Sequence, residues 1–120
     1  MENGVLFGAL VLRGLRRKTV KENPHRIGVV RIDRNLVQAD ILGLALVGAF
    51  GIDRAIELCK DAREDFDMLA GLAAECLKIN NKLLKMIGRE YCGAHGEISA
   101  EAIARRLKEH KKLCFRGGQA

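Results

Sequence analysis

Twelve consecutive residues, Ile41-Leu42-Gly43-Leu44-Ala45-Leu46-Val47-Gly48-Ala49-Phe50-Gly51-Ile52, carry neither a charge nor a polar side chain. A helix packed on one face only shows a polar stripe at intervals of three and four residues. This run shows none, so neighbours must cover it on every side. As a helix it would be about 18 Å long, well short of the roughly 30 Å hydrocarbon core of a bilayer, and Asp40 and Asp53 bracket it. It is therefore expected to be the buried centre of a helical domain and not a membrane span.

The rest of the chain has to supply that cover. At 120 residues it is the size of one domain, expected to span 1–120, with a frayed tail at 115–120. Aromatic residues make up 4% and Trp is absent, so the core is built from Leu, Ile, Val and Ala, which suits close-packed helices better than sheets. Cys59, Cys76, Cys92 and Cys114 have no dense disulfide spacing, and Met1-Glu2-Asn3 is not a basic leader. The expectation is reduced thiols in a cytoplasmic protein.

Local signals divide the chain into elements. Gly4 to Leu15 reads as a first helix with Asn3 as its cap. Pro24 ends that segment, and Ile27 to Ile32 is the single β-branched run. Paired with residues 18–21 across the turn at 22–25, it predicts a short β-hairpin at about 18–32. Asn35 is expected to cap the apolar helix, at about 36–50, with Gly51 closing it in the left-handed conformation. A break is expected near 60–65, where Asp65 or Asp67 would cap a new start. Leu69, Leu72, Cys76, Ile79, Leu83 and Met86 then follow steps of three and four like a coiled-coil seam. Gly88 is expected to end that helix, a loop to follow over 89–97, and Ser99 to cap a last helix from Ala100 to about Cys114. The predicted fold is mainly α: four or five helices around the apolar one, with one small hairpin.

Three features bear on function. The charge is uneven: residues 1–34 hold eight Lys/Arg against three acids, residues 35–98 seven against ten, and residues 99–120 six against two. Arg13, Arg16, Arg17 and Lys18 at one end, and Arg105, Lys108 and Lys112 at the other, would form a polyanion-binding face if the two groups meet. Nucleic acid is the first candidate, and the alternative is basic ends folding back on an acidic middle. Few aromatics accompany them, so base stacking is not the expected mode.

The second feature is Cys92-x2-His95-x14-His110-x3-Cys114, a Gly-containing knuckle followed by two ligand types one helical turn apart. Over residues 91–115, with Tyr91 before the first ligand and Leu107 before His110, it resembles a zinc finger of the knuckle-plus-helix kind. The resemblance implies a structural zinc, although the Cys-His-His-Cys order and the long spacer depart from that family's pattern. The alternative is that His110 and Cys114 are core residues of the last helix.

The third is the seam. Leu69, Leu72, Cys76, Ile79 and Leu83 are either intramolecular core or a surface for self-association or a partner helix. No convergent catalytic set is visible: Glu64, Asp65 and Asp67 read as a solvated face, and no phosphate-binding glycine loop follows a strand.

Overall fold

A computed structural model describes residues 2–62 and 65–109. The first helix, α1, is Asn3–Leu15, followed by three strands: β1 (Val20–Glu22), β2 (Val29–Asp33) and β3 (Leu36–Ala39). Five more helices complete the described chain: α2 (Ile41–Phe50), α3 (Ile52–Ala62), α4 (Phe66–Leu77), α5 (Asn81–Gly93) and α6 (Ala100–Lys108). The protein is thus mainly helical with one small sheet. Buried side chains from every one of these elements join in one core.

The sheet differs from the expected hairpin. β1 and β2 do not pair; the strand order is β1-β3-β2. β3 lies between them, parallel to β1 (Val20↔Val37, Glu22↔Ala39) and antiparallel to β2 (Val29↔Ala39, Arg31↔Val37). The reason is in residues 36–39, expected to be the first turn of the apolar helix. Val37 and Ala39 are buried while Leu36 and Gln38 are half-buried, an alternation that fits a strand and not a helix. A tight connection through Arg34 and Asn35 then makes β2 and β3 natural neighbours, with the Asn35 N–H donating to Asp33 Oδ1 at 2.7 Å. The cap moves accordingly. Asp40, in extended conformation, accepts the Gly43 N–H at 2.8 Å and starts α2, the role expected of Asn35.

α2 is buried from Ile41 to Gly48 and packs against α1, α3, α4, α5 and the strands β2 and β3. Ten residues are too few for a helix to persist alone, so α2 owes its stability to the burial of Ile41, Leu42, Leu44, Leu46 and Val47. Its closest neighbour is α1. A methyl group on Gly14 would overlap the Leu44 carbonyl oxygen, and one on Gly48 the Leu10 carbonyl oxygen, so the two backbones touch directly. Gly51 ends α2 at φ 87°, where a side chain would be strained.

α1 begins after Glu2, and Asn3 lies inside the first turn without the capping bond expected of it. The break near 60–65 is found: α3 ends at Ala62, and Asp65 caps α4 by accepting the Met68 N–H at 3.1 Å. The stripe from Leu69 to Met86 does not run along one helix. α4 stops at Lys78, which is left-handed at φ 59°, and Asn80 caps α5. Gly88 does not end α5, which continues to Gly93. It sits mid-helix because the ring of Phe66 occupies the space where its side chain would be. Ser99 caps α6 as expected, accepting the Ala102 N–H at 3.1 Å. The frayed tail expected at 115–120 lies outside the described residues. No helix among the described residues is long and apolar enough to cross a membrane.

Candidate polyanion-binding surface

The basic groups at the two ends of the sequence lead onto neighbouring helices. α1 and α6 pack directly on each other. A methyl group on Gly8 would come within 2.5 Å of the Ala104 carbonyl oxygen and 3.1 Å of the Lys108 stem, so the side chain of Lys108 lies across α1. Leu12, Arg105, Lys108 and Glu109 line a shallow hollow of about 260 Å³ there. Arg13 and Arg16, at the end of α1, are exposed. Arg105 is paired with Glu101 one turn earlier at 3.1 Å, with both side chains more than half open. Such a pair contributes only about 0.3–0.5 kcal/mol.

Not all the expected cations gather on this surface. A guanidinium nitrogen of Arg17 lies 3.9 Å from where a Cβ would stand on Gly51. There it faces the C-terminal end of α2, whose unpaired carbonyls favour a positive charge. Lys18 is exposed in the turn before β1. Lys112 lies outside the described residues.

A second basic strip was hidden in the sequence. Lys82, Lys85 and Arg89 stand around the half-exposed Met86 on α5, with Glu90 and Gly93, and line a hollow of about 370 Å³. Their spacing of three and four was the signal that could have found them. It was obscured because residues 35–98 carry a net negative charge.

The zinc pattern is divided. Cys92 stands in the last turn of α5, and His95 follows it, exposed, at φ 50° in the next turn. His110 and Cys114 lie outside the described residues. Among the described residues no three His, Cys, Asp or Glu side chains form a group that would hold a metal. As a nucleophile Cys92 is unsuited: desolvation, and then the nearby Asp40 carboxylate, raise its pKa, whereas a reactive thiol needs it lowered.

The polar groups inside the domain are structural. Asp40, 1% exposed, has its pKa pushed up to about 7 by burial, against the pull of the backbone N–H groups it caps. Burial likewise raises the Cys59 thiol to about 11, so it is protonated at neutral pH, and its sulfur accepts the Val29 N–H at 3.3 Å. Among the described residues, every buried side-chain nitrogen or oxygen has a hydrogen-bond partner.

The span from Leu46 to Lys60 is not a helix-turn-helix: only Gly51 stands between α2 and α3, and α2 is buried from Ile41 to Gly48, which leaves no room for the three- or four-residue turn that motif uses. In the stripe, Leu69 and Ile79 are inside the core, Leu72, Cys76 and Leu83 are half-covered, and Met86 is exposed together with Met68. Comparison of the chain with known protein families, with curated proteins and with solved structures finds no match.

Proposed function

We propose that this protein is a small, non-catalytic intracellular binding module for a polyanion, with nucleic acid the first candidate ligand. What supports the reading is the packing of α1 on α6, two adjoining helices that carry basic residues far apart in sequence: Arg13 at the end of α1, followed by Arg16, and Arg105 and Lys108 on α6. The strip Lys82, Lys85 and Arg89 on α5 adds a second cationic surface. Flexible cations without aromatic platforms bind phosphates and not bases, so binding is insensitive to sequence and steeply dependent on salt.

The test is a titration of labelled duplex and single-stranded oligonucleotides at several salt concentrations. Replacing Arg13, Arg105 and Lys108 by Ala should weaken binding. On duplex it should also flatten the salt slope by about 0.9 for each phosphate that is no longer neutralised. No binding at low salt, or binding untouched by these changes, removes the polyanion reading.

A second reading, a helical self-association domain, draws on the exposed Met68 and Met86 thioethers beside the half-covered Leu72, Cys76 and Leu83. Met68→Lys with Met86→Lys changes exposed positions, so folding should survive. Sedimentation of the two proteins then decides: a wild-type oligomer that becomes a monomer supports assembly, and a monomeric wild type ends it.

A further inference from the structure

A hollow of about 440 Å³ opens between β2 and α3 and shares no lining residue with the hollows on α5 and between α1 and α6. Ile27, Val29 and Ile56 form apolar walls, Cys59 lies at the floor, and Arg31 and Lys60 stand at the rim. Ile27 and Ile56 are only half-buried, so the hollow leaves apolar surface in water that the core does not cover.

A fourth strand is a poor occupant, although β2 is at the edge of the sheet. The Val29 N–H is already taken by the Cys59 sulfur, and a bulge interrupts the ladder between Arg31 and Asp33. Arg31, Asp33 and Arg34 add charges along the same edge. A bulge and a row of charges are devices that prevent edge pairing.

The volume instead falls in the range of small-molecule pockets, which combine apolar walls with a few polar groups that fix orientation. The polar groups here are cationic. Arg31 is steadied by Asp53 at 3.1 Å, but that carboxylate is 96% exposed and neutralises the guanidinium only weakly. No ion pair with a described residue holds Lys60. No carboxylate lines the hollow among the described residues. The floor is neutral as well, since the Cys59 thiol keeps its proton.

The geometry points to a binding site for a small amphipathic anion, an alkyl chain bearing one carboxylate. The chain lies on Ile27, Val29 and Ile56, and the head group meets Lys60 and Arg31. This site is separate from the polyanion surface, so either can fail without the other.

The probe is decanoate, below its micelle concentration, titrated into the isotope-labelled full chain and followed by backbone amide shifts. Saturable shifts at residues 27–31 and 56–60 are expected. Decanol, the same chain without the charge, should bind roughly tenfold more weakly. Lys60→Glu, at an exposed position, should remove that preference while leaving decanol binding unchanged. Ile56→Trp should fill the hollow and abolish both, with circular dichroism confirming that the helices remain. Shifts confined to the cations of α1, α5 or α6, an absence of saturation, equal binding of decanol and decanoate, or an unaffected Lys60→Glu protein would each overturn the site.

Discussion

The Tyr91 hydroxyl donates a 2.8 Å hydrogen bond to Glu22 Oε2 across 69 positions of sequence. The same oxygen accepts the N–H of Ala100 at 2.8 Å, the first residue of α6. One carboxylate at the end of β1 thus holds the last turns of α5 and the positive end of α6, where a negative charge is favourable. Tyr91 is fully buried, and burial together with this bond raises its pKa, so it stays a donor at any ordinary pH.

Removing either partner should be measurable. Tyr91→Phe loses one bond to a charged acceptor and should cost about 1.5–3 kcal/mol, whereas Glu22→Ala leaves two donors unpaired and should cost more. Urea unfolding midpoints test the order. A Glu22→Ala protein as stable as Tyr91→Phe would mean that the Ala100 bond contributes nothing.

Asp40 makes stability depend on pH in the direction opposite to a salt-bridged carboxylate. Its folded pKa is about 7, against about 3.9 in an unfolded chain. The folded state therefore keeps the proton to higher pH. The stability this brings is fully present below about pH 4 and is lost as pH rises through the folded value. Asp40→Asn keeps an oxygen to cap α2 and should flatten the profile. Urea midpoints at about pH 5 and about pH 8 check it: the wild type should be weaker at the higher pH, and the variant should be much less so.

The glycines should respond with opposite signs. Gly14→Ala and Gly48→Ala push a methyl into the backbone of the facing helix and should cost about 1–3 kcal/mol or more. Gly71, inside α4, has nothing within 4 Å of the position a Cβ would take. Gly71→Ala should stabilise by about 0.5–1 kcal/mol through helix propensity alone. Thermal unfolding of the three variants is sufficient; a fall in melting temperature for Gly71→Ala would contradict the packing described.

Metal content tests the Cys92, His95, His110 and Cys114 pattern directly. If the four converge on zinc, protein purified without chelator should retain one equivalent, and chelation should melt α6, because metal binding is coupled to folding. Protein grown with zinc that carries no metal removes the pattern as a site.

The features legible in the sequence were those set by local chemistry. The uncharged run announced a buried helix, Gly51 its end, Asp65 or Asp67 the start of α4, and Ser99 that of α6. Leu36 to Ala39 escapes such a reading because four residues of weak alternation, followed at once by a strongly apolar helix, look like that helix's first turn. Asn35 and Asp40 are equally good caps by type, and only the pairing of β3 decides between them. Gly88 looks like a stop because Phe66, which fills the place of its missing side chain, is 22 positions away. The meeting of α1 with α6 and the tie from Glu22 to Tyr91 are long-range, so no local pattern could carry them. The basic face of α5 is present as spacing but masked when charge is counted over too long a window.

The strand order has a consequence for how the molecule comes apart. β2 and β3 join through a short local turn, whereas β1 has no partner until β3 is in place, and its pairing closes a longer stretch of chain. β1 follows α1, α1 carries α6, and Glu22 at the end of β1 holds the first N–H of α6. Loss of β1 therefore removes the anchor of the first turn of α6, the Glu22 bond to the Ala100 N–H, while α1 keeps its close packing on α2 and α2 to α5 keep β2 and β3. Amides of β1 and of the start of α6 should exchange with solvent ahead of those in α1 and α2.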